Sequence, residues 1–139
     1  MYNHILLPTD GSELSLQGVR HGLALAKSDH SKVTIILVQL PYPLMHPATG
    51  QSWREAQQEI AQTAIKAVNE LAKQAGVEVS VVHKTNESPA EAIVEAAAET
   101  GSDLIVMASH GRRGVKRMLL GSQTAEVVRT SSVPVLVVH

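Results

Sequence analysis

The 139-residue sequence contains no cysteine. Disulfides and thiolate-ligated metal sites are therefore excluded, and the chain is compatible with a reducing compartment. Aromatic residues are nearly absent: Trp53, Tyr2, Tyr42 and no phenylalanine. Single-stranded nucleic acid is held on aromatic stacking platforms, so this scarcity argues against RNA or DNA as a partner. An excess of either charge is lacking too. Twelve basic and thirteen acidic residues leave a net charge of −1, which creates no global field for a polyanion. No apolar run approaches the ~20 residues that span a bilayer. The opening Met-Tyr-Asn-His-Ile-Leu-Leu-Pro has no basic start and too short an apolar run for a signal peptide. The expectation is a cytoplasmic chain with no nucleic-acid partner and no membrane partner.

What is present is an alternation. Five short apolar runs, His4–Leu7, Val33–Val38, Val77–Val82, Leu104–Met107 and Pro134–Val138, are separated by helical patterns. Most of these runs show little polar alternation, which suits strands of a parallel sheet buried on both faces. The first helix is predicted from about Ser12 to Lys27, with Leu16, Val19, Leu23 and Ala26 on one face. Gly18 and Gly22 lie one turn apart on it and permit close packing on the sheet. A second helix runs from about Trp53 to Ala75 and stops at Gly76. The third opens with Ser88-Pro89-Ala90-Glu91, a serine N-cap with proline at N1 and glutamate at N3. The fourth starts at Ser122. Leu40 to Ser52 carries Pro41, Pro43, Pro47 and Gly50, so neither helix nor strand is expected to persist there. The reading is a doubly wound α/β fold with right-handed crossovers, in one domain spanning residues 1–139.

Several chemistries are missing. There is no G-x-x-x-x-G-K-[ST] and no G-x-G-x-x-G after a strand, so the common nucleotide fingerprints are absent. A phosphoacceptor receiver needs paired acids after the first strand and an acid after the third. Here Asp10 stands alone, and Lys84-Thr85-Asn86 follow the third. The seven histidines share no helical face, so no metal site is expected. Glu55 and Glu59 read as a solvated face and Ser88 as a helix cap. No nucleophile–base–orienter set can be assembled, so no catalytic residue is assigned. Ser109 and His110 are adjacent, and adjacent loop residues rarely face one another.

Two loops at strand ends stand out. Pro8-Thr9-Asp10-Gly11-Ser12 follows the first strand, and Ala108-Ser109-His110-Gly111, nine residues, then Gly121-Ser122 follow the fourth. In open parallel sheets, ligands bind at the carboxyl ends of strands where crossovers diverge. Glycines between a strand and a helix start let backbone amides approach a phosphate. Asp10 either accepts hydrogen bonds from a ligand or caps the next helix; both fates stay open. The nine-residue spacer contains Arg112, Arg113, Lys116 and Arg117, of which at least two are expected to be solvated.

Together with Ile5-Leu6-Leu7-Pro8-Thr9-Asp10-Gly11-Ser12 at the start and Ser132-Val133-Pro134-Val135-Leu136-Val137-Val138 at the end, this spacing resembles the universal stress protein family over the whole chain. The family's nucleotide-binding members carry G-x2-G-x9-G-[ST]. The match runs from Gly111 through Gly121 and Ser122, with Ala108 where the pattern has its first glycine. The resemblance implies a five-stranded parallel sheet of order 3-2-1-4-5 between four helices, of the adenine-nucleotide alpha-hydrolase-like kind. It implies contacts to the nucleoside from Pro8, Thr9 and Asp10, an adenine border at Val38, and a base-side lining by Met107. It places phosphate contacts at Ala108, His110, Gly111, Gly121 and Ser122, with Gln123 and Thr124 at the helix start.

The function implied is an ATP-binding stress-response regulator or adaptor with little or no hydrolysis. ATP would come alone or with Mg, and AMP or ADP are the other candidate ligands. A homodimer through Val133–Val138 and an unknown protein partner are also implied. The alternative is a dimeric interaction module of the same fold without nucleotide, and Ala108 keeps it open. With ordinary strand dihedrals that alanine costs almost nothing; a positive φ would strain it by roughly 1 kcal/mol. A nucleotidyl or adenylyl transferase would need HIGH-type or SGG-type motifs at the first loop, and Pro8-Thr9-Asp10-Gly11 supplies neither.

Overall fold

A computed structural model describes residues 1–41, 50–111 and 120–139. Arg112, Arg113, Lys116 and Arg117 lie outside the described residues, as do Pro43 and Pro47. The elements are β1 (His4–Thr9), α1 (Glu13–Asp29), β2 (Lys32–Gln39), α2 (Gly50–Ala75), β3 (Ser80–Thr85), α3 (Pro89–Thr100), β4 (Leu104–Ala108), α4 (Ser122–Thr130) and β5 (Val135–Val138). The strands form a parallel sheet of order β3-β2-β1-β4-β5. This is the order expected, with β1 and β4 side by side at the centre.

Buried side chains sit on both faces of the sheet. Ile5, Leu7, Ile35 and Val106 pack with Leu16, Val19 and Leu23 of α1 and Val68 of α2. Leu6, Ile36, Ile105 and Met107 pack on the other side with Ala90 and Ile93 of α3 and Val127 of α4. The strands are apolar at successive positions because both sides are covered. Ser12 Oγ accepts from Ser15 N at 3.2 Å to cap α1, and Ser88 Oγ accepts from Glu91 N at 3.3 Å to cap α3. Gly101 closes α3 in the left-handed region, at φ 68°.

The bounds of β1, β3 and α2 differ from the sequence expectation. The first strand was expected to stop at Leu7, yet β1 continues through Pro8 and Thr9, paired with Ile36 and Leu37. Asn3 O accepts from Lys32 N on the β2 side, and His4 O accepts from Asp103 N on the β4 side. Alternate residues therefore turn their backbone groups to β4, and Pro8 is one of them. Its missing N–H leaves the β2 ladder intact. The third strand begins at Ser80, not Val77, because Val77 N donates to Ala72 O at the end of α2. It extends through Lys84 and Thr85 because an edge strand tolerates polar residues. The second helix begins at Gly50, inside the segment expected to be irregular, since glycine is tolerated at a helix start.

The N-terminus is tied to the centre of the sheet by Asp103, which precedes β4. Its carboxylate accepts from Asn3 N at 2.9 Å and His4 N at 3.0 Å. The Asn3 bond first, then the His4 bond, hold the Asp103 carboxyl below its ordinary range. A depressed carboxyl pKa stabilises the fold above the unfolded value, about pH 4, and that contribution is lost as pH falls through the lowered value. Asp103→Ala should lower stability at neutral pH by about 1 kcal/mol, since the site is open to solvent screening. The difference between variant and parent should shrink below about pH 4. Urea unfolding across a pH series measures both effects, and a pH-independent difference would contradict the assignment.

Candidate functional site

The crevice opens where β1 and β4 part. Their paired register covers Ile5 with Leu104 and Leu6 with Ile105, and goes no further. Pro8 brings no N–H to the next rung on that side, so the carboxyl ends of the two central strands diverge. A cleft of about 370 Å³ lies there, within the ordinary range of small-molecule sites.

All twelve residues singled out from the sequence line this cleft. One wall is the loop after β1. Asp10 Oδ1 accepts from Ser12 N at 2.9 Å, while Ser12 itself caps α1. The other carboxylate oxygen, Oδ2, lies across the crevice, 2.7 Å from where a Cβ on Gly111 would sit. A side chain at position 111 would have to push that carboxylate aside. Thr9 is buried, with Oγ1 2.7 Å from Ser15 Oγ and accepting from Gly11 N at 3.0 Å. Its hydroxyl organises the loop, while its backbone belongs to the ladder with β2.

The opposite wall joins β4 to α4. Gly121 N donates to Ser109 O at 2.7 Å, and a Cβ on Gly121 would meet that oxygen at 3.1 Å. Thr124 Oγ1 donates to Ala108 O at 3.0 Å, and Gln123 Oε1 accepts from Ala90 N at 2.9 Å. These two side chains therefore brace α4 against β4 and α3. Gly121 is the N-cap of α4 and supplies no side-chain cap, unlike Ser12 and Ser88 on α1 and α3. The first amides of α4 thus open on the cleft, with the positive end of the helix dipole behind them.

Ala108 adopts an ordinary strand conformation; among described non-glycine residues only His30 has a positive φ. Strand alternation puts its methyl on the α1 side with Leu104 and Val106, whereas Met107 projects to the α3 side. Alanine is therefore unstrained there, and its methyl is turned from the Met107 face of the cleft.

Ser109 and His110 do face one another, contrary to expectation: Ser109 Oγ is 3.0 Å from His110 Nδ1. The turn out of β4 folds the two side chains onto each other. Among the described residues no third group orients the ring, and His110 Nε2 is buried with no partner among them.

Residues 1–139 match the sequence pattern of the universal stress protein family. The chain belongs to that family. It is 38% identical over 142 residues to universal stress protein MJ0531 of Methanocaldococcus jannaschii, covering 99% of this chain and 82% of that protein. The solved structure of hypothetical protein MJ0577 from the same organism superposes with a TM-score of 0.87 at 30% identity, covering 99% and 96% of the two chains. A universal stress protein crystallised in complex with cAMP superposes with a TM-score of 0.76 at 29% identity, covering 99% and 97%.

Other cleft residues were not anticipated from sequence. Ile36 and Ile93 extend the apolar floor formed by Val38 and Met107. Gln39, Trp53, Gln57 and Ile60 form a further side, from the end of β2 and the start of α2. A seven-residue spacing, Trp53 to Ile60 with Gln57 between, was a visible helical-face signal for the last three. Among the described residues no group of three histidine or carboxylate side chains gathers to hold a metal ion.

Proposed function

We propose that this universal stress protein binds an adenine nucleotide, ATP first among them, and acts as a nucleotide-dependent regulator or adaptor with little or no hydrolysis. The observation that carries this reading is the uncapped start of α4 opening on a cleft whose sides differ in chemistry. The side-chain-free surface at Gly111 and Gly121 and the backbone amides of α4 from Ser122 onward suit an anionic phosphate group. Val38, Met107, Ile36 and Ile93 suit a flat apolar base. Asp10, at the mouth between them, suits a ribose hydroxyl. His110 Nε2, buried with no partner among the described residues, supports the same reading, because a phosphate oxygen would satisfy it in its N–H form. The relative solved with cAMP adds support from within the family. Mg would arrive with the phosphates, and Asp10 and Glu87 are carboxylates that line the cleft. Thermal unfolding with and without Mg-ATP tests the proposal: a clear rise in Tm is expected, and no shift at millimolar nucleotide would end it.

The regulator would work in the cytoplasm as a homodimer, presenting nucleotide state to a protein partner. The dimer reading rests on β5, a sheet edge with one hydrogen-bonded neighbour. Pro134 O and Val138 O accept from β4, so Val135 and Val137 turn their backbone N–H and C=O groups to the free edge. Leu136, between them, is 44% exposed. A second β5 meeting this edge about a twofold axis would cover both features. Light scattering after size exclusion should give the mass of two chains. Val137→Pro, which deletes an outward N–H without touching the β4 ladder, should give one. A monomeric parent protein would sink the dimer.

A further inference from the structure

Helix α2 is too long for the sheet it covers. Its 26 residues span about 39 Å, whereas the eight residues of β2 span about 26 Å. The lower part of its inward face, Ala61, Ala64, Val68 and Ala72, is buried. The same face continues upward through Ile60, Gln57 and Trp53, which line the cleft. The level at which the helix leaves the sheet is pinned by Gln39, the last residue of β2. Its Nε2 donates to Gln57 O at 2.8 Å, and its Oε1 is 2.7 Å from His83 Nε2 on β3. With both ends of the amide engaged, Gln39 holds the overhang in place. Trp53 sits one turn above that anchor, half-buried, in the cleft wall.

We infer that this overhang is a base cover, with the Trp53 indole stacking on the nucleobase and selecting purines over smaller rings. The inference rests on the nucleotide reading and adds to it the element that sets base preference. An indole presents a large flat apolar surface at little conformational cost, and stacking on a base is tolerant of sequence but scales with ring overlap. Val38 and Met107 form the floor opposite, on the α3 side of the sheet. A base between floor and indole would be enclosed on both faces, with Gln57 beside it as an amide able to meet a base edge. The phosphate end stays at Gly121, across the cleft, so the cover acts on the base and not on the anion.

The test uses the intact protein and two readouts. Calorimetric titration with ATP, CTP and inorganic tripolyphosphate gives three affinities for the parent, Trp53→Ala and Trp53→Phe. Trp53 is the sole tryptophan, so its fluorescence reports the cover alone. ATP should bind more tightly than CTP and change the fluorescence. In Trp53→Ala the ratio of ATP to tripolyphosphate affinity should fall about tenfold, and Trp53→Phe should restore most of it. ATP binding that leaves the fluorescence and the Trp53→Ala ratio unchanged would overturn the cover while leaving nucleotide binding intact. A parent protein that binds no ATP by calorimetry would overturn both.

Discussion

Adding Mg-ATP at about a thousand times its Kd should stabilise this protein by about 4 kcal/mol. For a chain of this size that is roughly 8–16 °C in Tm. The effect is mass action: a ligand that binds the folded cleft and not the unfolded chain pulls the equilibrium toward the fold. The cleft exists only when β1 and β4 are side by side, since its two walls are separated by about a hundred residues of sequence. Gly121→Val should remove much of the shift. A Cβ there would sit 3.1 Å from Ser109 O, and the branched side chain would cover the open amides of α4. A tenfold weaker Kd takes away about 1.4 kcal/mol, a third of the stabilisation. At least that loss is expected, with the ligand-free Tm changed far less. An ATP shift in Gly121→Val equal to that of the parent would show that the phosphates lie elsewhere.

Gly18→Val should destabilise the fold by about 3 kcal/mol and weaken the site as well. Gly18 lies in the middle of α1 where it crosses β4. A Cβ there would come 2.7 Å from Ala108 N and 3.0 Å from Met107 C. Both are backbone atoms at the end of the strand that carries the cleft, so no rotamer change can relieve the contact. Helix and strand must separate. Gly22 makes the instructive contrast. Its Cβ would meet Leu7 Cδ2 at 2.1 Å, closer still, but that atom ends a side chain that can turn. Even Gly18→Ala should be destabilising, although alanine in a helix interior gains about 1 kcal/mol over glycine by propensity. Urea midpoints for the variants give the answer. A Gly18→Ala protein more stable than its parent would mean that α1 rides higher on the sheet.

These two glycines show how far sequence reading reached. Their one-turn spacing signalled close packing, and both do face the sheet. That Gly18 meets the backbone of Ala108, so that fold and site share one contact, followed from no local pattern. The same holds at Pro8. In sequence it marks the end of a strand; in the sheet its missing N–H points to β4 and opens the crevice. Ser109 and His110 are neighbours whose side chains come together only because the chain turns sharply after β4. Trp53, Gln57 and Ile60 were visible as one helical face. What that face looked toward depended on the length of α2 relative to the sheet and on where Gln39 anchors it.

By itself the sequence determined the alternation of strands and helices, the serine cap of α3, and the glycine spacing of the β4–α4 connection. Each is written within a few consecutive residues, because dihedral preference, periodicity and capping act locally. The tertiary structure alone decided which groups meet: Asp10 across from Gly111, Gly18 beneath Ala108, and the start of α2 lining the same cleft as Val38 and Met107. Those distances are set by strand order and by the level at which helices dock on the sheet. Periodicity says which side of an element is apolar. It carries no information on what stands opposite.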